Sequence, residues 1–217
     1  MLKLNDLGFS RDIITETIVT TYNFDNTPNA APMGTTLLNS QMLILRPYVV
    51  SNTFANLKAR GVAVINVTED PWLYYSTAFK EEACGKLHGT FRKASVVNAP
   101  VIKSADAWVE VVVGRIVTPA ADRAEVTCKA LRIHARKKVP QAYCRAVGAT
   151  IEAIVHATRV KAYLEKGADE EVSKLMEKIK YNRDVVNHVA ANSQYAHIME
   201  NLARLIELWR KNRESLC

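Results

Sequence analysis

Glycine is scarce in this chain, eight in 217 residues, and the few present never gather into a phosphate-wrapping loop. No G-x-G-x-x-G follows an apolar run, which argues against a Rossmann-type nicotinamide site, and neither a Walker loop nor a G-x-S-x-G elbow occurs. Cys84, Cys128, Cys144 and Cys217 stand far apart with no C-x-x-C pair. A thiolate metal site is therefore not expected; four reduced thiols are, some of them small core residues. No apolar run approaches the roughly twenty residues that span a bilayer. Asp6 and Asp12 interrupt the first residues before a signal-peptide core can form, so a cytoplasmic location is expected.

What is present is an ordinary globular composition, 48% hydrophobic and 24% charged, with material for one large domain or two small ones. The net charge of +7 is uneven. Residues 81–160 carry thirteen basic and seven acidic side chains, while the regions on either side are close to balance. Such a middle segment can attract nucleic acid or a phosphorylated ligand, and it reads equally well as a solvated surface.

Ile13 to Thr21 is β-branched and partly alternating, which predicts a strand, and the turn formers of Asn23 to Asn29 predict a hairpin into the next one. Gln41 to Leu45 is a short buried run stopped by Pro47. Ser51 opens and Gly61 closes a short helix, and Val62 to Val67 reads as a strand buried on both faces. Pro71 suits the first turn of a helix after Asp70. Lys86 to Lys93, Ala107 to Val117 and Ala124 to Ala135 are three further expected strands, the second apolar from Trp108 to Val113 except at Glu110. Short strands with short helices between them suggest a closed or partly closed barrel.

The pattern changes after Arg136-Lys137-Lys138. Beyond Pro140 there is no proline and only Gly148 and Gly167, and Ile151, Ile154, Val155, Thr158, Ala162 and Tyr163 follow helical spacing. A stripe from Tyr195 to Trp209 marks a last long helix, and such stripes are usually core or a dimer seam. Residues 1–138 are expected to form the barrel and residues 139–217 a helical subdomain.

Residues 29–68 carry the chemistry. Small side chains at Ala30, Ala31 and Gly34 let a flat ring approach the backbone. Ser51, Asn52 and Thr53 offer side-chain donors and free N–H groups to an anion at a helix start. Backbone groups of Met33, Gly34 and Thr35 are candidates for a ring's polar edge, and Arg46 for a charge-assisted bond to phosphate or ring. A ring platform near a phosphate cradle suggests flavin mononucleotide (FMN). Taken alone, Ser51 and Thr53 also read as a plain helix cap. Trp72, Tyr75 and Phe79 read as flavin cover or, more simply, as core. Glu152 and His156 lie four apart on one helix face with Arg159 beyond, which suits acid–base chemistry, a second flavin edge or an ordinary intrahelical pair. Their spacing is no metal motif.

Asn29-Ala30-Ala31-Pro32-Met33-Gly34, the strand Gln41 to Arg46, Thr53-Phe54-Ala55-Asn56-Leu57 and the strand Val62 to Val67 occur in the order found in FMN-binding split barrels related to flavin reductases. The whole chain is similar to the DUF447 flavoproteins, including Val67-Thr68-Glu69-Asp70-Pro71 and the run Ile151 to Arg159. The resemblance implies an α+β fold, an FMN-binding split β-barrel with a helical C-terminal subdomain. It places the phosphate near Ser51, Asn52 and Thr53, with Asn56 one turn on, and implies a homodimer with flavin near the interface. The implied activity is an oxidoreductase of the flavin-reductase type that passes hydride through flavin N5, with any NAD(P)H stacking transiently on the ring. No side chain marks itself as a catalytic acid or base. Two rivals stand beside this reading. One is a non-catalytic flavin carrier or sensor. The other is a nucleic-acid-binding protein using Arg132, Arg136, Lys137 and Lys138, although no RNP1-like motif accompanies them.

Overall fold

The computed structural model of the chain describes residues 2–11, 13–81, 90–137 and 144–214. The chain divides into two compact units, residues 1–69 with 84–139, and residues 70–83 with 140–217. A single cut at 138 therefore does not describe the division, because residues 70–83 group with the helical unit. The expected strand residues 86–89, Cys84, His88, Lys138 and Cys217 lie outside the described residues.

The first unit is a closed antiparallel barrel. Its strands are β1 (Thr15–Tyr22), β2 (Pro28–Asn39), β3 (Met42–Leu45), β4 (Val62–Val67), β7 (Ala107–Val117) and β8 (Glu125–Ala135), in the order β1-β2-β3-β8-β7-β4 with β4 closing on β1. A short pair, β5 (Phe91–Lys93) and β6 (Pro100–Ile102), forms a separate two-stranded sheet. Alternation sorts the side chains. Val19, Leu43, Leu45, Ala63, Ile65, Val109, Val111, Val126 and Cys128 meet in one cluster, to which Leu4, Phe9, Phe54 and Leu57 add their side chains. Val64 and Trp108, on the other face, pack with Ala94, Val97, Ala99 and Val101 in a second cluster. That covering explains why β4 and the first half of β7 are buried on both faces and read as continuous apolar runs. Cys128 is wholly buried, and burial pushes its thiol up to about 12, so it packs as a small hydrophobe.

Helix α1 (Asn52–Arg60) follows β3. Ser51 caps its start by accepting the Phe54 N–H, and Gly61 ends it at φ 65°, a left-handed turn that a Cβ would strain. Helix α1 is fixed to the barrel by polar bonds as well as by Phe54 and Leu57. Asn56 Nδ2 donates to Thr21 Oγ1 and Asn23 Oδ1, both at 2.9 Å.

The second unit holds α2 (Pro71–Ala78), α3 (Arg145–Lys166), α4 (Asp169–Ala190) and α5 (Gln194–Glu214). Asp70 caps α2 by accepting the Trp72 N–H at 2.9 Å, with Pro71 just inside the helix. Ala146, Ala153, Ala157, Val160 and Leu164 line the buried face of α3, and Val172, Leu175, Ile179 and Val186 that of α4. The stripe expected on the last helix is buried at Ile198, Met199, Leu202, Leu205 and Ile206. Among the described residues no helix is long and apolar enough to cross a membrane.

Candidate functional site

Strand β2 is paired unequally along its two edges. One edge pairs with β1 from Pro28 to Thr35, whereas β3 joins the other edge only from Thr35 onward, opposite Leu45. Residues 28–34 therefore present one edge that no strand covers among the described residues. An uncovered edge displays N–H and C=O groups, which makes it a hydrogen-bonding template. Ala31, Pro32, Met33 and Gly34 on this stretch are half-buried. Pro32 contributes no donor. The Met33 carbonyl already accepts the Thr17 hydroxyl at 3.0 Å, and the Thr35 hydroxyl is buried against Thr17 Oγ1 at 2.8 Å. Thr35, flanked by β1 at Thr15 and β3 at Leu45, lies beyond the uncovered stretch. At Gly34 a Cβ would stand 2.6 Å from Ile14 Cγ2, so the close approach that this glycine permits is made by the chain's own Ile14.

The start of α1 lies beside that edge. Asn29 Nδ2, on β2, donates to Thr53 Oγ1 at 3.0 Å, and the same amide reaches Thr21 Oγ1 at 3.2 Å. Asn29, Thr53, Asn56 and Thr21 form one buried polar network. Asn56 is therefore not a surface residue, and its amide is engaged inside the barrel unit. Ser51 Oγ is also engaged, donating to the Tyr48 carbonyl at 2.7 Å and accepting from Phe54 N–H at 3.2 Å. Since Ala55 N–H bonds to the Ser51 carbonyl, the helix itself leaves over the N–H groups of Asn52 and Thr53. The Asn52 side chain is exposed and the Thr53 side chain buried. Arg46 Nη2 pairs with Glu125 at 3.2 Å and its Nη1 reaches Thr36 Oγ1 at 3.3 Å, on the part of β2 that β3 covers. The structure brings the β2 edge and the α1 start together, but it occupies Thr53 and Asn56 with internal bonds.

The other candidates lie elsewhere. Trp72 stacks on Tyr75 at 5.4 Å, Tyr75 meets Phe79 at a tilt at 5.5 Å, and Phe79 meets Trp209 at 5.7 Å, all within the helical unit. Glu152 Oε2 stands 3.8 Å from His156 Nε2 on α3. His156 Nδ1 is buried with no partner among the described residues. Burial lowers its pKa, Glu152 opposes that, and Lys178 and Arg159 add to it. Arg132, Arg136 and Lys137 are exposed at the end of β8 and just beyond, and Arg136 Nη2 donates to the Lys103 carbonyl.

One cluster escaped the sequence reading. Glu110 on β7 is fully buried and accepts from Ser95 Oγ at 2.6 Å, from the N–H of Val96 at 2.6 Å, and from those of Ser95 and Val97 at 3.1 Å. His134 Nε2 lies 3.2 Å away. Burial pushes the carboxyl up, but the Ser95 hydroxyl and the three N–H groups outweigh burial and bring it to about 2. Ser95 and His134 Nε2 meet the same oxygen, Oε1. A catalytic triad needs the carboxylate and the nucleophile on opposite ring nitrogens, so this is an anchor for the 95–97 turn. Its signal was a lone carboxylate in an apolar strand.

A closed six-stranded barrel with one partly uncovered strand, joined to a helical unit, defines an α+β protein of the split-barrel class. The chain belongs to the DUF447 family. The description "protein of unknown function (DUF447), N-terminal domain" matches residues 15–152, and its C-terminal counterpart matches residues 144–207. The FMN-bound DUF447 protein MM1853 of Methanosarcina mazei is similar in fold, at TM-score 0.76 and 23% identity, over 93% of this chain and 98% of that one. More distant likenesses include the 2-nitrobenzoate 2-nitroreductase NbaA of Pseudomonas fluorescens, at TM-score 0.47 and 18% identity, over 58% of this chain and 67% of that one. Nitrilotriacetate monooxygenase component B of Mycobacterium thermoresistibile scores 0.48 at 20% identity, over 60% and 72%. No curated protein is similar to the chain.

Proposed function

We propose that this protein is an FMN-binding flavoprotein, an oxidoreductase of the flavin-reductase type, that works as a cytoplasmic homodimer. The observation that carries the reading is the uncovered β2 edge held next to the α1 start by the Asn29–Thr53 bond. The donor set suits the cofactor. Met33 and Gly34 lie on the uncovered stretch, where backbone groups suit a ring's polar edge, and the N–H groups of Asn52 and Thr53 suit a phosphate. The Asn52 amide and Arg46 add side-chain donors, whereas Ser51, Thr53 and Asn56 serve mainly to set the helix start in place. The FMN bound by the family member MM1853 supports FMN as the cofactor.

When bound, flavin supplies hydride acceptance and donation at N5. The chain's own residues position the ring along β2 and fix its phosphate end, so that stacking geometry, and not a side-chain acid or base, governs transfer. With no dinucleotide-binding loop in the sequence, a nicotinamide donor reacts while stacked transiently on the ring. Ile13 and Ile14 are exposed apolar residues, and Ile14 lies against Gly34. Burying that patch against a second copy would close the site from water.

The test is the visible spectrum of purified protein, followed by heat release and identification of the chromophore. FMN near one per chain is the expected result, with bleaching under anaerobic NADH or NADPH and dimer mass by light scattering. A protein that is colourless and does not bind added FMN would overturn the reading. FMN that neither nucleotide reduces would leave a carrier or sensor in place of an enzyme.

A further inference from the structure

Residues 46–51, which lead into α1, are held from outside by the chain entering β8. Val49 N–H donates to the Asp122 carbonyl at 3.1 Å, and Ala124 N–H to the Pro47 carbonyl at 3.0 Å. Between them Arg123 Nη1 donates to the Arg46 carbonyl at 2.9 Å, and its guanidinium lies 3.3 Å from the centroid of the Tyr48 ring. The Tyr48 carbonyl in turn accepts the Ser51 N–H at 3.0 Å and the Ser51 hydroxyl at 2.7 Å. A continuous run of contacts thus leads from Arg123 to the first turn of α1.

The two arginines at this loop differ in charge balance. Arg46 faces Glu125 across 3.2 Å, which largely compensates it. Among the described residues Arg123 meets only neutral partners, a carbonyl and a ring face. Stacking on Tyr48 holds the guanidinium plane and leaves further N–H donors unused. We infer that Arg123 positions the α1 start and supplies the uncompensated charge there, and so sets the preference for a phosphorylated flavin over one lacking phosphate. This rests on the flavin reading above and assigns the phosphate selectivity within it to Arg123 more than to Arg46.

The test compares FMN with riboflavin, which has the same ring and no phosphate, by fluorescence quenching on flavin-free protein. Arg123→Ala is expected to lose about tenfold in FMN affinity while riboflavin affinity stays within about twofold. Arg46→Ala is expected to lose less FMN affinity than Arg123→Ala, and Arg123→Lys to recover part of the loss, keeping charge without the planar stack. An equal loss for both flavins, or an unchanged ratio, overturns the inference. If Arg123→Ala does not fold, the same ratio in Arg123→Gln decides. Wild-type protein that binds neither flavin would refute the flavin reading itself, an outcome distinct from failure of the Arg123 assignment.

Discussion

Thr150, buried in the helical unit, gives its hydroxyl to the Ala146 carbonyl four residues back. Asn56, buried in the barrel unit, gives its amide to side chains 35 and 33 residues away. The contrast is general. Ser76 and Thr77, also buried in the helical unit, bond to carbonyls of their own helix. In the barrel unit Asn29 reaches Thr53, Asn66 Nδ2 reaches the Ile18 carbonyl and Thr20 Oγ1, and Asn66 Oδ1 accepts the Ile102 N–H. A helix satisfies a buried hydroxyl locally, whereas these amides tie together segments that only the tertiary fold brings near. The buried side-chain bonds that tie distant segments together therefore concentrate in the barrel unit, and the helical unit relies on apolar packing.

Glu110 is the most demanding of the barrel's tertiary bonds. Glu110→Ala would leave the N–H groups of Ser95, Val96 and Val97 and the Ser95 hydroxyl without their buried acceptor, a cost of about 4 kcal/mol in unfolding free energy by urea titration. A loss below about 1 kcal/mol would break the contrast, because this carboxylate would then be no more than a local contact. Its pH signature has a defined sign. The folded carboxyl lies at about 2, below its ordinary value of 4.5, so the charged form favours the fold. That contribution is present above about 4.5 and is lost as pH falls toward 2. Glu110→Gln should flatten this part of the acid limb. Next in size, Asn56→Leu removes one buried amide, leaves Asn23 Oδ1 without that donor and leaves Thr21 Oγ1 only its bond from Asn29. About 2 kcal/mol is expected from the same titration, with α1 hydrogen exchange accelerated.

How far the sequence foretold all this follows the same contrast. Periodicity and end signals made β4, β7 and β8 legible, and Ser51 with Gly61 framed α1, because those signals are local. Helix α2 was signalled by Asp70 and Pro71, yet its grouping with helices that begin more than sixty residues later was not, since no local pattern encodes a distant partner. Strand β6 spans only Pro100–Ile102, too short for alternation to show and beginning with a residue that disfavours strands. Helix α4 was hidden by its charge, with the buried Val172, Leu175, Ile179 and Val186 spread thinly through it. At the candidate site, the strand and the helix start that lie together were legible from small and hydroxyl residues. The inward commitment of Thr53 and Asn56 was not, since an exposed amide and a buried one look alike in sequence. Arg123 carried no signal at all.

Two smaller predictions sharpen the contrast from the helical side. His156 is held below its ordinary value of 6.5, chiefly by burial, with Lys178 and Arg159 assisting and Glu152 opposing. Its neutral form favours the fold, so its contribution is complete above pH 6.5 and is lost as pH falls through the lowered value. His156→Phe should remove that slope below pH 6.5 while leaving the Glu110 limb at lower pH unchanged, and NMR titration of the ring would place the midpoint below 6.5. The smallest effect is expected at Thr150, a site as buried as Asn56. Thr150→Val removes a hydroxyl whose acceptor, the Ala146 carbonyl, keeps its place in the helix hydrogen-bond ladder, so nothing is left unpaired. A change within about 0.5 kcal/mol is expected. Equal burial with a several-fold smaller effect than Asn56→Leu would show that the reach of the hydrogen bond, more than the depth of the polar atom, decides what the fold depends on. A loss as large as that of Asn56→Leu would mean that the helical unit is as polar in its construction as the barrel.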